Sequence, residues 1–159
     1  MYNETVLQHY RNPRNVGEIE NADGVGIYMS DFCGDITKFW IKVEKGRITD
    51  ATYRTQGCVA SIACGSVLTE LVKNMTVEEV LKITKDHIVS ALNGLPEQKI
   101  HCSVLADDSL KDAIRDYLTR NNLPVPQELV EKHEKMRPLL ARALRDEGER
   151  PHPGLVVWA

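Results

Sequence analysis

Lys38-Phe39-Trp40-Ile41-Lys42-Val43-Glu44-Lys45-Gly46-Arg47-Ile48-Thr49-Asp50-Ala51-Thr52-Tyr53-Arg54-Thr55 alternates apolar and charged side chains, turns at Lys45-Gly46, and resumes as a second β-forming run. A period of two puts Phe39, Ile41 and Val43 on one face and Lys38, Lys42 and Glu44 on the other, as in a strand with one face in the core. With a further strand from Gly24, the segment 24–55 reads as an antiparallel meander. At Gly57 the period changes. Ala60, Ala63, Cys64, Val67, Leu68 and Leu71 recur at helical spacing, which predicts a helix with a buried stripe directly after the last strand. Phe39, Trp40 and Tyr53 are read as sheet residues.

Working outward, Asn3 is an N-cap for a short helix carrying Val6, Leu7 and Tyr10, which Pro13 stops. Thr76 with Glu79 forms a capping box, and Asp86 starts a helix ending at Asn93-Gly94. After Leu95-Pro96 a helix begins near Cys102 and runs through Ala106, Leu110, Ala113, Ile114 and Tyr117 to Asn121-Asn122. Beyond Pro124 and Pro126, Leu129, His133, Met136, Leu140 and Leu144 mark an amphipathic segment in which Pro138 begins a second piece or a kink. The last stretch, Pro151-His152-Pro153-Gly154-Leu155-Val156-Val157-Trp158-Ala159, is an apolar tail expected to dock on the domain or on a second subunit. The organisation expected is one domain over residues 1–120 and a helical extension with tail over 121–159.

A chain of 159 residues buries roughly 70% of the surface its unfolded form exposes. Its 20 basic and 23 acidic side chains give a net charge of −3, without the basic footprint of a nucleic-acid binder. No run approaches the length of a membrane span, and the first residues lack a basic region followed by an apolar one. The expectation is a cytoplasmic protein with reduced thiols, no membrane association and no nucleic-acid partner.

Cys33, Cys58 and Cys102 are far apart in sequence, so no Cys-x-x-Cys knuckle exists and a common site requires the fold to assemble it. Cys33 precedes Gly34-Asp35 between two strands, and Cys58 and Cys102 each stand at a helix start, where unpaired N–H groups stabilise thiolate. Thiolates select zinc, cuprous ion or iron–sulfur clusters over magnesium and calcium. Asp35 adds a harder oxygen ligand that favours exchange. His101 is a candidate imidazole ligand, and Lys99 a cation for anionic sulfur. Cys64 lies six residues after Cys58 and faces the core stripe, so it reads as structural.

These residues bring a resemblance into view. His9-Tyr10-Arg11-Asn12-Pro13-Arg14-Asn15-Val16-Gly17, Cys33-Gly34-Asp35, Thr55-Gln56-Gly57-Cys58 and Lys99-Ile100-His101-Cys102-Ser103-Val104-Leu105-Ala106 resemble, in order and spacing, the IscU-type iron–sulfur cluster scaffold, the module also found at the N-terminus of NifU proteins. The resemblance implies an α+β fold, a three-stranded antiparallel sheet with helices packed on one face. It implies a scaffold without turnover chemistry, which takes sulfur from an IscS/NifS-like cysteine desulfurase. Iron and electron donor proteins supply the rest of a labile [2Fe-2S] cluster that passes to apo-proteins. Carried over, Cys33, Asp35, Cys58 and Cys102 are cluster ligands with His101 as alternate, Cys102 is the first persulfide acceptor and Cys58 the second. Zinc is a substitute ion, and a homodimer is expected. The stretch Leu95-Pro96-Glu97-Gln98-Lys99 departs from the Leu-Pro-Pro-Val-Lys read by an Hsp70-type chaperone, so chaperone-assisted release is not carried over.

Two other readings use the same residues. A closed zinc site would take Cys33, Asp35, Cys58 and Cys102, and a sulfur carrier would need one reactive cysteine. A zinc deaminase is excluded, because no Glu stands two residues after a ligand His and no Pro-Cys-x-x-Cys run occurs.

Overall fold

The computed structural model describes residues 1–147 and 155–156. Strands β1 (Gly24–Met29), β2 (Ile36–Glu44) and β3 (Arg47–Gly57) form the expected meander, with Phe39 opposite Tyr53 and Ile41 opposite Ala51. Phe39, Ile41, Ile48 and Tyr53 are fully buried. The β2–β3 turn takes Lys45 and Gly46 at φ 52° and 74°, the positive-φ pair that matches the right-handed twist of a hairpin.

The expected three-stranded sheet is present, and a short fourth strand extends it. Strand β4 (Leu155–Val156) pairs antiparallel with Gln56 and Gly57, giving the order β1-β2-β3-β4. It satisfies backbone groups on the outer edge of β3 that a three-stranded sheet leaves open. These two residues of the apolar tail therefore dock on their own domain; residues 148–154 and 157–159 lie outside the described residues.

Helix α1 (Glu4–Arg11) starts at Asn3, whose side chain accepts from Val6 N at 2.9 Å and donates to the Leu92 and Asn93 carbonyls, both at 3.0 Å. That ties the N-terminus to the end of α4 (Lys85–Ala91). Helix α2 (Val59–Leu71) is buried at every position from Ala60 to Thr69, as befits an element in the middle of the core. Gly65 is required there, because a Cβ would lie 2.3 Å from the Tyr53 ring. Helix α3 (Val77–Leu81) begins with the expected Thr76–Glu79 capping box.

Helix α5 (Ile100–Arg120) crosses β1 so closely that a Cβ on Gly26 would stand 2.1 Å from the Ala113 amide nitrogen. Asp116 and Asp112 accept from Val25 N at 2.8 Å and Ile27 N at 3.0 Å, which closes the other exposed strand edge. Helix α6 (Gln127–Glu147) packs on α5 and β1 through buried Leu129 and Met136. It continues through Pro138, so that residue does not begin a second piece as expected; the Glu134 carbonyl that loses its donor lies on an exposed stretch, open to water. No helix among the described residues is long and apolar enough to cross a membrane.

His9 of α1 is 6% exposed, with Ser66 Oγ 2.7 Å and an Arg14 guanidinium nitrogen 3.1 Å from Nδ1. Burial first, then the Arg14 charge, lowers its pKa, against the opposing pull of Glu70. Native His9 therefore stays neutral where the unfolded chain takes up a proton. The urea midpoint of the wild type is expected to fall as pH drops below about 6.5 toward the lower native pKa. A His9→Gln variant is expected to lose that part of the slope, and an unchanged profile would contradict the assignment.

Candidate metal centre

Three elements end at one edge of the fold. The β1–β2 loop is pinned by Ser30, whose amide donates to the Asp35 carbonyl at 2.8 Å and whose hydroxyl accepts from Phe32 N and Cys33 N at 3.2 and 3.3 Å. Gly34, at φ 78°, then turns the chain so that Asp35 is buried while Cys33 two residues earlier stays exposed. Cys58 is the N-cap of α2, directly after β3, and Cys102 lies in the first turn of α5.

A carboxylate oxygen of Asp35 and the sulfurs of Cys58 and Cys102 all lie within 4.8 Å of one another. The two sulfurs are 3.6 Å apart. His101 Nε2 is 3.7 Å from Cys102 Sγ, and its ring meets that of the exposed Phe32 at a tilt of 36°, with 4.6 Å between centroids. The fold thus gathers two of the three expected sulfurs with the carboxylate and sets His101 at the flank. Cys33 stays on its exposed loop, which the Ser30 hydrogen bonds hold in a local turn, outside the group of three but with its thiol in reach of the Asp35 carboxylate. Cys64 is fully buried, as its position on the stripe implied.

The charge state follows from proximity. The Cys102 thiol donates to the Cys58 sulfur, which holds the Cys58 pKa well below the usual thiol range and pushes that of Cys102 up, so the pair shares one proton. The resulting anion on Cys58 raises Lys99. Desolvation pushes the Cys33 thiol up. A soft anionic sulfur, a second thiol and a carboxylate at these distances suit a thiophilic cation such as iron or zinc.

Two residues at the site escaped the sequence reading. Ser61 donates to Asp35 Oδ2 at 2.8 Å and lies 3.7 Å from Cys58 Sγ. Its position three residues after Cys58, one helical turn on the same face, is the signal that pointed to it. Tyr2 faces Cys58, Cys102 and Lys99, its hydroxyl pushed up by burial and then by the Cys58 charge; nothing local in the sequence marks it.

The chain matches the NifU-like N terminal domain over residues 1–123. It is 52% identical over 121 residues to the iron–sulfur cluster assembly scaffold protein IscU 1 of Archaeoglobus fulgidus, covering 76% of this chain and 79% of that one. The scaffold protein IscU of Aquifex aeolicus is 47% identical over 121 residues, covering 75% and 77% of the two chains. Among solved structures, the N-terminal NifU-like protein of Brucella abortus superposes with a TM-score of 0.60 at 22% identity, covering 74% of this chain and 94% of its own, a likeness of fold.

Brief iodoacetamide labelling of metal-free, reduced protein near neutral pH is expected to modify Cys58 first. Cys33 should follow more slowly despite its exposure, Cys102 more slowly again, and Cys64 only after unfolding. Peptide mapping by mass spectrometry reads the order, and Cys102 labelled ahead of Cys58 would refute the shared-proton arrangement.

Proposed function

We propose, for a chain that belongs to the family of NifU-like N-terminal domains, that it is a scaffold on which iron–sulfur clusters are assembled and from which they are handed on. The observation that carries the reading is the convergence of Asp35, Cys58 and Cys102 within 4.8 Å from a loop and two helix starts remote in sequence. The cluster is cargo, and these residues bind it. The scaffold domain occupies residues 1–120, with the extension over 121–159.

In this reading the cluster is [2Fe-2S]. Cys58 and Cys102 are ligands from the preformed group, Cys33 joins them by movement of its loop, and Asp35 or His101 completes the set. Sulfur arrives as a persulfide on a cysteine desulfurase. A scaffold thiolate attacks the outer sulfur, a new S–S bond forms, and the desulfurase cysteine leaves as thiolate. Cys102 is the first proposed acceptor and Cys58 the second; at 3.6 Å, transfer of their shared proton exchanges which of the two is the nucleophile. Lys99 steadies the anionic sulfur in either case. Iron and electron donor proteins, and apo-protein acceptors, are the remaining partners, and the setting is the cytoplasm. The role is that of a carrier rather than an enzyme.

The group of three donors is also the size of a single-ion site, which favours zinc as a stand-in ion. Iron and sulfide are expected to displace it.

Anaerobic incubation with iron, cysteine and a desulfurase should develop sulfur-to-iron charge-transfer absorption and the Mössbauer signature of a [2Fe-2S] cluster. Cys33→Ala, Cys58→Ala or Cys102→Ala should each abolish the stable chromophore. Colourless wild-type protein with intact thiols would overturn the scaffold reading, and sulfur transfer that survives Cys33→Ala or Cys58→Ala without any cluster forming would favour a simple sulfur carrier. If the extension supports a homodimer, gel filtration of a chain ending at Asn121 should show a smaller species than the full chain; equal assembly of both would reject that role.

A further inference from the structure

Asp35 is the one carboxylate in the group, and its orientation is fixed by the hydroxyl of Ser61, which lies outside the proposed ligand set, and by the backbone amide of Cys58. Oδ2 accepts the Ser61 hydroxyl at 2.8 Å and the Cys58 amide at 3.3 Å. Two donors engage both lone pairs of that oxygen, so Oδ1 is the oxygen left with lone pairs for an incoming cation. The carboxylate also lies against a bare backbone: a Cβ at Gly57 would stand 2.7 Å from Oδ2 and 2.8 Å from Ser61 Cβ. Ser61 is itself 2% exposed, so no water substitutes for its hydroxyl without rearrangement. Its single proton cannot serve Asp35 and Cys58 at once. While it points to Asp35, the contact with Cys58 Sγ at 3.7 Å offers that sulfur only an acceptor.

We propose that Ser61 is a positioning residue for metal loading: it holds Asp35 with Oδ2 occupied and Oδ1 free, so that the carboxylate is already placed when the ion arrives. This rests on reading Asp35, Cys58 and Cys102 as the metal-loading group. A hydrogen bond from outside the ligand set fixes ligand orientation, and removing such a bond commonly costs about tenfold or more in metal affinity. Ser61 acts through Asp35, so its effect must disappear when Asp35 is removed.

Cobalt(II) is the probe, titrated anaerobically into reduced, metal-free full-length protein, with dissociation constants taken from competition against a chelator. In the wild type, thiolate-to-cobalt charge transfer reports the sulfurs and the ligand-field bands report the oxygen ligand. Ser61→Ala is expected to keep the charge-transfer band, shift the ligand-field bands, and weaken binding about tenfold. In an Asp35→Ala background the same change should leave bands and affinity where Asp35→Ala alone puts them. Should Ser61→Ala fail to fold, Ser61→Gly removes the same hydroxyl without adding volume and is expected to behave alike. Unaltered bands and affinity in the single variant would overturn the proposal. So would an equal loss in both backgrounds, which would place the role of Ser61 in the fold or on Cys58 directly. Absence of any thiolate-to-cobalt band in the wild type would instead sink the metal-centre reading beneath it.

Discussion

The seating of α5 on β1 is the contact on which the metal centre depends. Cys102 is carried by the first turn of α5, and nothing in its neighbourhood of sequence fixes where that turn lies relative to Asp35 or Cys58. What fixes it is a backbone-to-backbone approach at Gly24 and Gly26 that no side chain would fit, closed by the carboxylates of Asp112 and Asp116 on the β1 amides. Hydrogen bonds to charged groups contribute about 1.5–3 kcal/mol each, and these two also occupy donors of an exposed strand edge. Helix and sheet are thereby locked in register, and the helix start is delivered to the end of the sheet where β3 runs into α2.

At that end the molecule gathers more negative charge than it neutralises. A carboxylate and two thiols within 4.8 Å cannot all be anionic without a cation, since unpaired charge out of water costs several kcal/mol. One proton is kept between Cys58 and Cys102, and the anionic sulfur favours the charged form of Lys99. A divalent ion removes the conflict by displacing that proton, so loading and proton release are one event. The partial exposure of Cys58 and the bare flank occupied by Phe32 and His101 leave the ion a way out.

The elements with local periodicity were legible in the sequence: the hairpin through Lys45-Gly46, the stripe from Ala60 to Leu71, the caps at Asn3 and Thr76. So was the pairing of Asp35 with Cys58 and Cys102, because a strand end and two helix starts are places where backbone chemistry favours such groups. The outward placement of Cys33 was not, since it follows from one serine closing a turn on itself. Strand β4 is a pairing of two residues across almost a hundred positions, with no period to announce it. The continuity of α6 went the same way: Pro138 is a local signal against it, and its place on an exposed stretch leaves the freed carbonyl to water.

The extension beyond the matched region is not independent of the site. Asp112 gives one carboxylate oxygen to Ile27 N of β1, and its other oxygen takes Arg115 Nε at 2.7 Å and His133 Nδ1 of α6 at 3.0 Å. Lys132 adds an ion pair to Asp108 at 3.1 Å, one turn earlier on α5. The carboxylate that seats α5 on the sheet is therefore the one that anchors α6. Both contacts fall in the middle of α5, between the first turn that carries Cys102 and the end at Arg120, so α6 is fastened to the same helix that delivers one of the two paired sulfurs.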